Sequence, residues 1–343
     1  MLTTWIILLA IQMFGLPSES KILGAYILPH GGIALDPKFF NSTNTTSIEQ
    51  AWKLHNASVE VGMEISRLNP DLIFISTPHG VSDLNNFVFY LNTNAEGRAD
   101  TDNCDCPPCC YNVSVKINTN LSMGLAESLG RHMRVSGLTA NGSPGTATSP
   151  FPLRWGEVIP LHFMGDLKNA EVVIFSMPSR RYSQSVEMIP ELLALGGELF
   201  KELEGLPERV VVVISGDLAH THDRDGPYGY SDAAEPFDQA CGRWITAKNR
   251  KEITKVAASY VTKALSCGYT GFVMLQGMID GVGVNSWDFH LHANYHPSYY
   301  GMMVASINRT NFKLPPTNGN QTLHKSFISQ IFGAIMDIMK QFT

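Results

Sequence analysis

Basic residues are scarce in this 343-residue sequence. Lysine and arginine number 25 against 31 aspartates and glutamates, for a formal net charge of −6, and they form no extended run. A general electrostatic grip on nucleic-acid phosphates is therefore excluded. Long apolar runs are scarce too. The one that stands out, over residues 5–16, falls short of the roughly 20 residues a bilayer span needs. There is no internal repeat and no heptad array, which argues against a solenoid or a coiled coil. Charged residues make up 16% and hydrophobic residues 44%, so the chain can bury a sizeable core and is not disordered throughout.

The apolar run has the length of a signal-peptide core. Small Ser18 and Ser20 follow it, which predicts a signal peptide over 1–20 and a mature chain starting at Lys21, with no membrane span left after its removal. Eight N-x-S/T triplets predict glycosylation at Asn41, Asn44, Asn56, Asn112, Asn120, Asn141, Asn308 and Asn320. Both features point to a secreted or luminal protein. Six cysteines fit that oxidising setting. Cys104, Cys106, Cys109 and Cys110 crowd into a Cys-rich insertion near 92–112. Their spacing is too tight for the two separated pairs of a structural zinc site, so disulfides are expected there. Cys241 and Cys267 stand apart.

β-branched runs at 22–28, 71–75, 171–175 and 209–214 predict buried strands. Helical spacing marks 47–68, 121–135, 185–203, 250–266 and 324–342. Strands alternating with helices predict an α/β fold: one domain over 21–343, with a mainly parallel central sheet flanked by helices. The polar stretches 92–112 and 139–152 read as loops, and the run after His296 reads as a last core strand.

Three histidines follow strand ends: His30 in LPHGG, His79 in STPHG and His220 in SGDLAHTH. In open α/β sheets, ligands bind outside the carboxyl ends of the strands. Three histidines delivered to that edge, each near Gly or Pro, make a candidate site rather than a lone residue. His290, His292 and His296 in HLHANYH alternate as they would on one face of a strand, with His296 expected near the site rim and in contact with substrate. His162 reads as a packed histidine.

The segments PHGG (29–32), FISTPHG (74–80), IPLHF (159–163), SGDLAHTH (215–222), GPYGYSDAAEPFD (226–238) and SCGYTGFVMLQGMID (266–280) resemble, in order and spacing, the family of class III extradiol ring-cleavage dioxygenases, including its Memo branch. The resemblance implies an α/β fold and a mononuclear iron(II) site with two His ligands and open positions for a catechol-like aromatic substrate and O2. Carried over by motif, His30 and His79 are ligands and His220 is the acid–base residue. Asp217 either orients His220 or caps a turn.

Two departures matter. No Asp or Glu occurs between Ile253 and Ile279, where the family carboxylate is expected. Cys267 stands there, as a Cys does in the Memo branch. It is either a third, softer ligand that also suits copper or zinc, or the disulfide partner of Cys241. Trp155 stands where family members often carry a substrate-binding His. Two functions follow: an iron(II)-dependent ring-cleaving dioxygenase, or a Memo-like protein that holds copper, zinc or iron without dioxygenase activity. Neither choice fixes the oligomeric state.

Overall fold

The four β-branched runs become four adjacent parallel strands. In a computed structural model, which describes residues 21–311 apart from 144, 145, 147, 148, 166, 168 and 169, these are β1 (Ile22–Leu28), β2 (Leu72–Thr77), β8 (Glu171–Ser176) and β9 (Val210–Ser215). The predicted signal peptide, the helix over 324–342 and Asn320 lie outside the described residues. The remaining strands are β3 (Phe87–Tyr90), β4 (Asn94–Ala99), β5 (Tyr111–Lys116), β6 (Val135–Leu138), β7 (Phe151–Leu153), β10 (Trp287–Tyr295) and β11 (Met302–Arg309). The large sheet runs β10-β11-β1-β9-β2-β8-β3-β6. Its centre, β1-β9-β2-β8, is parallel. The β10–β11 hairpin joins β1 antiparallel, and β3 joins β8 antiparallel.

The central strands are almost wholly buried because both faces are covered, which is why they read as unbroken apolar runs. On one face Ala25, Phe74, Phe175 and Val212 share a core with helices α6 (Ile189–Glu204) and α9 (Tyr269–Asp280). On the other, Tyr26, Ile73, Ile174 and Val213 pack with α2 (Thr45–Leu68) and α4 (Trp155–Phe163). The shorter helices are α1 (Gly32–Leu35), α3 (Thr119–Gly130), α5 (Arg181–Gln184), α7 (Ala234–Thr246) and α8 (Ala258–Ala264).

Several expectations shift. The helix expected over 121–135 stops at Gly130, and Val135 opens β6 against Phe87 of β3. The helix expected from 185 starts at Ile189, with Pro190 in its first turn, where the missing N–H costs nothing. The stretch 250–266 opens as a π-helical turn over Glu252–Ala257. The stretch 92–112 is not a loop: β4 and β5 form an antiparallel hairpin, and β7 completes a three-stranded sheet with them. Disulfides Cys104–Cys109 and Cys106–Cys110 close the hairpin end.

Six of the glycosylation triplets, at Asn41, Asn44, Asn56, Asn112, Asn120 and Asn141, present an exposed asparagine. Asn308 is a correction. It sits in β11, where its side chain accepts from the Tyr26 hydroxyl at 2.9 Å and donates to Glu64 at 2.8 Å. A glycan there would break a part-buried network, so this triplet is not an acceptor site.

Candidate metal centre and cavity

The carboxyl ends of β1, β2 and β9 meet at one edge of the sheet, and the loops leaving them carry His30, His79, and Asp217 with His220. Cys267 arrives from the turn before α9. The ligating atoms of His30, His79 and Cys267 lie within 4.8 Å of one another. So do those of Asp217, His220 and Cys267, which makes the sulfur common to both groups. The close approach of the Asp217 and Cys267 loops needs two glycines. A Cβ on Gly216 would lie 2.5 Å from the Gly268 Cα, and one on Gly268 would lie 2.9 Å from the Asp217 carbonyl.

His30 is buried, and its tautomer is set by its neighbours. The Ser215 hydroxyl donates to the Gly156 carbonyl at 2.5 Å, so its oxygen accepts from His30 Nδ1–H at 2.9 Å. The lone pair is then on Nε2, which faces Cys267 Sγ at 3.3 Å and Asp217 Oδ2 at 3.3 Å. Imidazole, carboxyl and sulfur thus turn to one point, where the Cys267 S–H donates to Nε2; with that proton displaced, the same three atoms could hold a cation. This donor set fits a single divalent metal.

Burial shapes the charges. It holds His30 well below the ordinary imidazole range, helped by neighbouring His79, His220 and Arg181. It takes His79 down to about 3, with Arg181 adding to the effect. His220 falls to about 4, again through burial, against the Leu265 carbonyl, which favours an N–H on the ring. Leu265 itself has a left-handed backbone, φ 57°. All three imidazoles are therefore neutral at pH 7, as ligands and bases must be. Burial lifts Asp217 to about 7, although the His30 backbone N–H donates to it at 3.0 Å. The Cys267 thiol is pushed up by burial and by Asp217.

Two expectations, for Asp217 and His296, need correction, and the disulfide alternative for Cys267 closes. Asp217 does not hydrogen-bond to His220; its carboxyl belongs to the His30 and Cys267 group. Cys267 and Cys241 are both free and buried, so no disulfide joins them. His296 does not line the cavity. It stacks on His222 at 3.9 Å and pairs with Glu235 at 3.3 Å, while His290 and His292 contact each other. The three do not converge, since His290 and His292 lie in β10 whereas His296 follows its end at Tyr295. His162 is half-buried and packs edge-on against Tyr111 at 5.1 Å.

A cavity of about 300 Å³ opens over this cluster, at the small end of ligand-site volumes. His30, His79, Asp217 and His220 line it together with Trp155, Tyr228, Tyr299 and Tyr300. Trp155, 42% exposed, packs on His79 at 5.0 Å, and Tyr228 stacks on His220 at 5.7 Å. Sequence reasoning missed Ser215 and the tyrosines; the SGD step and GPYGY held Ser215 and Tyr228 in plain view, whereas Tyr299 and Tyr300 lie far along the chain in PSYYG.

Beneath Trp155, Glu157 anchors α4. One carboxyl oxygen accepts from the Arg154 backbone N–H at 3.0 Å and the other from the Tyr90 hydroxyl at 2.8 Å. Burial raises it from the ordinary 4.5 to about 7. The folded state thus holds this proton more tightly than the unfolded chain. Glu157 favours folding fully below about pH 4.5 and loses that contribution as pH rises through 7. Glu157→Gln is expected to flatten this part of the pH dependence. Urea midpoints at pH 5 and 7.5 should differ less in the variant than in the wild type, by the equivalent of about 2–3 kcal/mol. An unchanged difference would refute the buried protonated carboxyl.

The sequence profile described as "Catalytic LigB subunit of aromatic ring-opening dioxygenase" matches residues 24–305. Protein CA_C1420 of Clostridium acetobutylicum is 26% identical over 259 residues, which is 75% of this chain; the chain spans about half, 52%, of that protein's length. The crystal structure of uncharacterized protein JW3007 from Escherichia coli K12 superposes with a TM-score of 0.51, covering 83% of this chain and 99% of that one, at 13% identity. That likeness is one of fold alone.

Proposed function

Since the chain belongs to the family of catalytic LigB subunits of aromatic ring-opening dioxygenases, we propose that it opens a catechol-like aromatic ring with O2 at one iron(II) held by His30, His79 and Cys267. The observation that carries this reading is the convergence of the His30, His79 and Cys267 ligating atoms within 4.8 Å, beneath a cavity lined by aromatic side chains. The metal would supply the redox contact between a chelated catechol and O2. The protein's own part is positional and acid–base. Ser215 fixes the His30 tautomer. Trp155 and Tyr228 offer ring faces beside His79 and His220. His220, neutral and at the cavity, takes a proton from a catechol hydroxyl and returns one during ring opening.

Cys267 favours a second reading. A sulfur where the family carries a carboxylate suits zinc or copper(I), and a protein holding either would bind metal without opening rings. Oxygen uptake separates the two. Protein loaded anaerobically with iron(II) and given a panel of catechols should consume oxygen and form a ring-opened product. Tightly held metal with no uptake on any catechol would leave the metal-binding reading in its place. We also place the mature chain in the secretory lumen or outside the cell, a reading supported by the two disulfides and the six exposed glycosylation triplets.

A further inference from the structure

The charged side chains that line the cavity are carboxyls, while the nearest cations stand behind its wall: Arg181, whose field reaches His30 and His79, and Arg154, over the Trp155 ring at 5.4 Å. The lining includes Asp100, Asp102 and Asp217 and, among the described residues, no lysine or arginine. Two of these carboxyls have internal duties. Asp217 faces His30 and Cys267. Asp102 accepts from the Tyr300 hydroxyl at 2.9 Å, and burial lifts it above the ordinary carboxylate range although the Gly32 backbone N–H also donates to it. Asp100 has no such duty. It is exposed and makes no hydrogen bond or ion pair among the described residues. Its place is nonetheless well determined. It follows Ala99, which pairs with Tyr111 at the end of the β4–β5 ladder, and the two disulfides close the chain just beyond it. A hairpin that belongs to the small sheet thus brings an unpaired carboxylate to a cavity that also presents the rings of Trp155, Tyr228, Tyr299 and Tyr300.

We propose that Asp100 is a specificity-determining residue that selects catechols bearing a protonated amine and disfavours those bearing a carboxylate. This inference rests on the catechol-binding reading above. Aromatic walls take a ring of either kind through its faces, so they do not sort substrates by charge. A carboxylate at the rim does. It attracts an ammonium group on the ring's side chain and repels a carboxylate there, and Asp102 adds to the same field. A single exposed ion pair contributes modestly, but attraction for one substrate and repulsion of the other widen the gap between them.

The test is equilibrium binding without turnover. Zinc-loaded protein is titrated anaerobically at pH 7 with 4-(2-aminoethyl)catechol, 4-ethylcatechol and 3,4-dihydroxyphenylacetate, and binding is followed by calorimetry. The expected order is amine, then neutral, then carboxylate, with about tenfold or more between the first and last. The gap should narrow in 0.5 M salt, and Asp100→Asn should bring it to about threefold or less. Equal affinities for the three probes would overturn the proposal and leave the catechol-binding reading standing. So would a gap that survives undiminished in Asp100→Asn, because the selectivity would then belong to other groups. Binding of none of the three would overturn both.

Discussion

Replacing His30 or His79 with alanine is expected to lower metal affinity by at least about tenfold, the scale on which even outer-shell changes act. Each imidazole comes from a different strand end, so neither substitutes for the other. His30 carries the stronger expectation. Its Nε2 faces Cys267 Sγ at 3.3 Å, and Ser215 already directs its Nδ1 proton elsewhere. Its removal leaves the sulfur and Asp217 without their imidazole partner. His30 is only 2% exposed, so the alanine variant also loses packing, and stability must be read separately from metal binding. His79 is half-buried and gives the cleaner comparison. Chelator competition measures affinity. Melting with and without added metal checks the fold, because a metal that binds only the native state raises the melting temperature. Wild-type affinity and a wild-type metal-dependent shift in both variants would place the site elsewhere.

His220→Ala is expected to keep the metal and slow ring opening by about a hundredfold or more, the usual worth of a positioned acid–base group. His220 lines the cavity, is pulled down to about 4 by burial, and stacks with Tyr228 rather than with His30 or His79. It therefore has a free base nitrogen at neutral pH. The geometry holds a competing assignment, since Asp217, His220 and Cys267 also bring their ligating atoms within 4.8 Å. Metal content measured on the same variant decides between them. Slow turnover with full metal and intact catechol binding marks a proton-transfer residue. Loss of the metal marks a ligand, and the acid–base role would then be vacant.

What the sequence reveals follows the physics of each element. The parallel centre of the sheet was legible because strands buried on both faces must be apolar throughout, and β1 spans the 22–28 run residue for residue. The β4–β5 hairpin was not. Its outward residues are Asn94, Glu96, Arg98, Asn112, Ser114 and Lys116, and its order comes from cross-strand backbone pairing that a one-dimensional pattern does not record. The same holds at the site. Histidines next to Gly and Pro at strand ends were visible. Asp100 and Tyr300 were not, because only tertiary folding brings a hairpin and the turn before β11 to one cavity. His296 went astray for a local reason: Glu235 and the His222 ring hold it away from the cavity.

The position of β1 bears on the order of assembly. It is first in the described chain, yet its neighbours are β9 and β11: Leu28 pairs with Ser215, and Gly24 with Asn308. Its ladders close loops that span most of the described chain, the kind of high contact order that slows folding. A nascent chain still short of residue 210 has no partner for this strand. One short of residue 302 leaves an unpaired, apolar edge beside it. The loop bearing His30 is held only when the strands on both sides of β1 have arrived. At the proposed metal centre, capture is therefore expected late, reporting completion of the sheet rather than nucleating it.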